Sequence, residues 1–124
     1  MENLYNNLEK SKMISDLHLE MPHQHCQDWE IEVANCNRIF EFINYFDNHN
    51  LNDFEKYFLI YVILESYEDY LTTGKNQEVE LKIKKYLKEN FELCKDILEE
   101  YSCEGQPLED CFLITPLIRS INTD

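Results

Sequence analysis

Tyr57 to Leu64 is an unbroken apolar run, and polar segments flank it: Asp53-Phe54-Glu55-Lys56 before, Glu65-Ser66-Tyr67-Glu68-Asp69 after. At about 100° per residue, eight consecutive apolar positions cover the whole circumference of a helix, so the segment is buried on every side. The run falls far short of the roughly 20 residues that cross a bilayer, which excludes a membrane span here. Asn52-Asp53-Phe54-Glu55 has the form of a capping box, with Asn52 as cap and Glu55 reaching back to its amide. The pattern therefore predicts a central helix from Asp53 to about Thr73, stopped at Gly74.

Before it, Trp29, Val33, Cys36, Phe40 and Ile43 recur at gaps of four, three, four and three, with Ile39 and Phe46 widening the stripe. That spacing predicts one helix from an N-cap at Asp28 to about Asn48 and outweighs the brief alternation of Trp29 to Val33, which alone would read as a strand. Asn48-His49-Asn50-Leu51 is a short connection, so this helix and the central one are expected to lie antiparallel and in contact. Residues 2–21, with Leu4, Leu8, Ile14, Leu17 and Met21 loosely at helical spacing, predict an amino-terminal helix stopped by Pro22.

After Gly74, Asn76 caps a third long helix, Gln77 to about Cys103, buried along Val79, Ile83, Tyr86, Leu87, Cys94, Ile97, Leu98 and Tyr101. Asn90 falls on that apolar stripe and marks a place for a break, while Gly105 and Pro107 end the helix. Thr115-Pro116 then opens a short closing helix to Ile121. The fold class expected is all-α: residues 1–124 as a single-domain antiparallel helical bundle of about four to five helices around the buried segment 53–73.

Composition supports helices with short connections, for the chain has only two glycines and three prolines. It carries 25 acidic and 11 basic side chains, a formal charge of −14. A field of that sign repels nucleic acid and anionic lipid and draws in a basic protein partner. The excess is uneven: about fourteen acids face four bases before Lys75, and the signs nearly balance from Lys75 to Glu104. The candidate partner-binding residues are accordingly Asp28, Glu30, Glu32, Glu41, Asp47, Asp53, Glu68 and Asp69, with Tyr45 and Tyr70 as aromatic anchors expected at the surface.

Signatures of chemistry are sparse. No Gly-rich phosphate loop or G-x-S-x-G elbow is present. His23-x-His25-Cys26 lacks a second cluster at metal-binding spacing, so no metal and no cofactor are expected. Glu65, between Phe54, Phe58 and Tyr61 on the helical wheel, is expected to be a structural ion pair, with Arg38 or Lys56 available to supply the charge, or a helix-end acid, rather than a catalytic acid. The competing enzyme reading would use Glu65, Glu68 or Asp69. Five cysteines are an odd number, none sit as C-x-x-C, and Met1-Glu2-Asn3-Leu4 does not begin a signal peptide. Reduced thiols and a cytoplasmic location are therefore expected.

Trp29-x-Ile31-Glu32-x-Ala34-Asn35-x-x-Arg38-Ile39-x-Glu41-Phe42-Ile43, then Glu55-Lys56-Tyr57-x-Leu59 and Ile63-Leu64-Glu65-Ser66-Tyr67-Glu68-Asp69, resembles the small acidic immunity proteins of bacterial contact-dependent and polymorphic toxin systems. The likeness covers residues 28–71. It implies a cytoplasmic antidote that binds a basic toxin domain, such as a nuclease, covers its active site or substrate groove, and turns nothing over. A helical adaptor or regulatory subunit is the alternative, and would dock through an apolar surface on the amino-terminal helix or the Leu108 to Ile121 tail.

Overall fold

The computed structural model of the chain describes residues 12–19 and 34–122. Among them every regular element is a helix: α1 (Lys12–Asp16), α2 (Ile39–Asn48), α3 (Asp53–Tyr70), α4 (Gln77–Glu89), α5 (Lys95–Ser102) and α6 (Thr115–Asn122), with 3-10 turns at Cys36–Arg38 and Leu108–Asp110. The fold class is all-α. No helix among the described residues is long and apolar enough to cross a membrane.

α3 starts where its sequence dictates. The Asn52 side chain accepts the Glu55 amide at 2.9 Å while the Glu55 carboxylate accepts the Asn52 amide at 3.0 Å, satisfying donors that a helix start leaves open. From Tyr57 to Tyr67 every residue is buried except Tyr61 and Glu65, which are half-exposed. Burial on all sides follows from the all-round apolar run, and one continuous core forms around it, drawing residues from all six helices. The helix closes in the turn Leu71–Thr73 and passes through Gly74 at φ +148°, a backbone state suited to glycine.

α2 departs from the expected single helix ending near Asn48. Trp29, Val33 and the proposed cap Asp28 lie outside the described residues, but Asn35 is extended at φ −157°, ψ 113°, so no helix runs through it. Its side chain accepts the Asn37 amide at 2.9 Å, and its own amide donates to the Ser66 hydroxyl at 2.9 Å. Asparagine here gives the backbone a local partner that competes with helix continuation. Because α2 restarts downstream, its phase is reset: Ile39, Phe42 and Ile43 are buried, with Phe46 packed beside them, while Phe40 is 52% exposed. The Cys36–Phe40–Ile43 stripe is corrected accordingly.

α4 begins at its Asn76 cap, whose side chain accepts the Val79 amide at 3.1 Å. The break at Asn90 is present: its amide and side-chain nitrogen both donate to the Tyr86 carbonyl, at 3.0 and 2.9 Å. The chain turns over residues 90–94 and resumes as α5. α5 ends at Cys103 in the left-handed conformation (φ 52°), ahead of Gly105 and Pro107. α6 packs on α4 and α5 and buries Ile118 and Ile121. Thr115 is buried at its start, accepting the Phe112 amide and donating to the Tyr101 carbonyl at 2.8 Å. The predicted amino-terminal helix is described only in part: α1 and the turn after it bury Met13, Ile14, Leu17 and Leu19.

Candidate functional site

The acids and tyrosines singled out from the sequence fall into two groups. Asp28, Glu30 and Glu32 lie outside the described residues, as do His23, His25 and Cys26. On α2, Glu41 is clamped by the Arg38 guanidinium at 2.8 and 2.9 Å, which lowers its carboxyl pKa. Asp47 takes the Lys82 ammonium at 2.6 Å and the Tyr86 phenol at 2.7 Å. Burial pushes its pKa upward, but those two bonds and the nearby lysine charges outweigh burial and the net shift is downward. Tyr45 is not at the surface. It is 7% exposed, and its phenol donates to Asp16 at 2.8 Å. Burial, then the bond to Asp16, pushes its pKa up to about 12. Asp53 is exposed at the start of α3.

The second group sits at the far end of α3. Glu68 accepts the backbone amides of Leu113 and Ile114 at 2.8 and 2.9 Å. Asp69 is exposed, and the Cys36 thiol faces it; that hydrogen bond, with some desolvation, raises the thiol pKa. Tyr70 is half-buried and stacks on Tyr67 with ring centroids 5.8 Å apart. Glu65 bonds the Tyr101 phenol, which corrects the expected pairing with Arg38 or Lys56; Arg38 is committed to Glu41 and to the Leu17 carbonyl.

Tyrosine–carboxylate bonds recur through the molecule. Besides Tyr45, Tyr86 and Tyr101, Tyr57 donates to Asp96 at 2.6 Å, Tyr61 to Glu100, and Tyr67 to Glu80 at 2.5 Å. Part of the acidic excess therefore works inside the fold, as acceptors that let half-polar aromatics be buried. Reading acids and tyrosines as separate inventories missed this. The trace it leaves in the sequence is the spacing Tyr57, Tyr61, Glu65, Glu68, one line along α3.

That line matters because of what it meets. Tyr57, Tyr61, Glu65 and Glu68 join Asp96, Glu100, Tyr101 and the Leu113–Ile114 amides. Residues 57–74 and 96–118 contain no lysine, arginine or histidine, so two acid-only stretches are brought side by side. Arg119, next in the chain, is turned inward: its guanidinium donates to the Ser102, Cys103 and Gln106 carbonyls at 2.8, 2.8 and 3.0 Å. At the end of the seam lies a cleft of about 380 Å³, lined by Ala34, Glu65, Glu68, Asp69, Thr72 and Leu113. Hollows between α4 and α6 and at the 90–93 turn differ in being lined by lysines as well as acids.

Beside the cleft, a Cys103–Cys111 disulfide closes a loop. This corrects the expectation that every thiol stays reduced; Cys36 and Cys94 are free, and burial holds the Cys94 thiol up at about 12. The loop and its exit expose Leu108 (52%), Phe112 (38%) and Leu113 (52%), with Phe112 resting edge-on against Tyr101 at 4.9 Å. Apolar side chains at the surface, acids around them and a covalently closed loop make a face suited to receiving another protein. Among the described residues no group of three or more His, Cys, Asp or Glu side chains is placed to hold a metal ion. Comparison of the chain with protein-family models, curated proteins and solved structures gives no significant match.

Proposed function

We propose that the chain is an immunity protein: a non-catalytic antidote that binds a cognate basic toxin domain, such as a nuclease, through an acidic helical surface. Its scaffold is a single-domain antiparallel bundle around α3, rigid enough to present charge in a fixed pattern. The observation that carries the reading is the meeting of two base-free stretches, 57–74 and 96–118, along one seam. A single-sign surface accelerates encounter with an oppositely charged partner, and exposed apolar side chains then slow its release. The resemblance over residues 28–71 points the same way.

The test is co-expression with the basic carboxy-terminal domain of a secreted protein encoded beside this gene. Growth should be restored, and the on-rate of the purified pair should fall steeply with salt. Continued killing in the presence of soluble, folded antidote overturns the pairing. A second reading, a helical adaptor, is favoured by the exposure of Leu108, Phe112 and Leu113 in the tail. It requires a partner whose on-rate is insensitive to salt.

A further inference from the structure

We propose that the docking face is the disulfide-closed loop together with the cleft at the end of α3, and that its occupant is a protein segment carrying a lysine or arginine flanked by apolar side chains. The inference rests on the protein-binding reading above and locates the surface that does the binding. It moves that surface away from α2, where Glu41 and Asp47 already hold basic partners and Tyr45 is buried.

Two properties of the face decide the occupant. The first is apolar area: Leu108, Phe112 and Leu113 lie within six positions of chain and keep 52, 38 and 52% of their surface in water. Covering one such leucine removes roughly half a side chain from solvent. The second is sign. Glu68 and Asp69 line the cleft beside Leu113, Glu109 and Asp110 flank Leu108 and Cys111, and residues 57–74 and 96–118 hold no lysine, arginine or histidine. A neutral apolar segment would gain nothing from that negative potential, and an acidic one would be repelled. A basic side chain entering the cleft while its neighbours cover Leu108 and Leu113 satisfies both properties.

The loop is also held in place before anything binds. The Cys103–Cys111 link, the three carbonyls gripped by Arg119 and the two amides gripped by Glu68 tie it to α5, α6 and α3. Ordering it on binding then costs little.

The experiment maps amide chemical shifts of the isotope-labelled full chain on titration with the peptide acetyl-Leu-Arg-Leu-Arg-Leu-amide. Acetyl-Arg-Gly-Arg-Gly-Arg-amide and acetyl-Leu-Glu-Leu-Glu-Leu-amide serve as controls. Shifts concentrated in residues 65–72 and 103–114, larger for the basic-apolar peptide than for either control, are expected. Leu113→Ser or Leu108→Ser should weaken binding about fivefold, and Glu109→Gln with Asp110→Asn about threefold. Leu81→Ser, at a still more exposed leucine on α4, should leave it unchanged.

No shifts at millimolar peptide, shifts spread evenly over the surface, shifts centred on α2, or equal binding of the charge-only control would each overturn the proposal. The outcome is separable from the antidote reading. Failed growth rescue with intact mapping removes the antidote reading and leaves this face standing. Rescue by the Leu113→Ser, Glu109→Gln, Asp110→Asn chain as strong as by the parent removes the face and leaves the antidote.

Discussion

Glu68 of α3 holds Ile114, through its backbone amide at 2.9 Å, and takes the neighbouring Leu113 amide at 2.8 Å. One carboxylate thus fixes the entry to α6 against the central helix and forms part of the floor of the cleft.

Bonds to a charged acceptor contribute more than neutral ones, and removing the acceptor strands two donors. Glu68→Ala should therefore cost about 1.5–3 kcal/mol in urea unfolding. Glu68→Gln, which keeps one acceptor oxygen, should cost less. Amide exchange at Leu113 and Ile114 should speed up in both. Unchanged exchange at these two positions would show that another group anchors α6.

Local patterns carried the parts of the fold that depend on neighbours in sequence. The all-round apolar run specified α3, and Asn-x-x-Glu at 52–55 specified its start. Asn76 and the closing helix followed from capping and proline chemistry in the same way, and the break at Asn90 from a polar residue on the apolar stripe. The stripe before α3 misled because periodicity assumes an unbroken 100° step. One extended residue, Asn35, resets the phase and turns Phe40 out and Phe42 in.

The candidate face was less legible because its defining contacts span long separations. Glu68 reaches forty-five positions to Leu113, and Tyr57 and Tyr61 each reach thirty-nine to their carboxylates. No local spacing records which acid meets which phenol. The disulfide escaped for another reason. Counting cysteines addresses the chain as a whole, whereas Cys103 and Cys111 meet because a left-handed residue at the end of α5 turns the chain back toward Arg119.

The capping box offers a check confined to one helix end. Asn52→Ala leaves the Glu55 amide without its acceptor, and should destabilise the chain by about 1 kcal/mol. Asn52→Asp should be nearly neutral, since a carboxylate accepts the same bond and favours a helix start. Equal losses for the two, read by urea midpoint, would mean that the amide-specific geometry rather than the acceptor is what matters.

Reduction of Cys103–Cys111 opens a short loop that the unfolded chain no longer has to keep closed. The chain-entropy argument assigns such a link roughly 2–3 kcal/mol. Cys103→Ser with Cys111→Ser should lower the unfolding free energy by that order, with a thiol reductant having the same effect on the parent and none on the double variant. Arg119→Ala should add to the loss, because it also leaves the Ser102 and Cys103 carbonyls without their donor. A reductant that leaves the parent's midpoint unmoved would show that the link constrains nothing in the unfolded chain.

High pH probes the tyrosine–carboxylate bonds directly. Burial, followed by the adjoining carboxylate, raises the phenols of Tyr45, Tyr86 and Tyr101; burial with Glu80 does so for Tyr67. A folded pKa above the unfolded value of about 10 means that each contribution is fully present below pH 10 and is lost as pH rises toward the folded value. For Tyr45 that window runs from about 10 to about 12. Stability should be nearly flat from neutrality to pH 9.5 as far as these groups are concerned. It should then fall by up to about 1.4 kcal/mol per pH unit for each of the four. Tyrosinate absorbance should show these phenols ionising only in step with loss of helical signal. Tyr86→Phe, which removes the phenol and leaves the ring, should flatten the alkaline slope by one proton's worth while lowering stability at pH 7, since Asp47 then keeps only Lys82. Ionisation of all the tyrosines near pH 10 in the folded chain would place them in water and remove the internal role assigned to the acids.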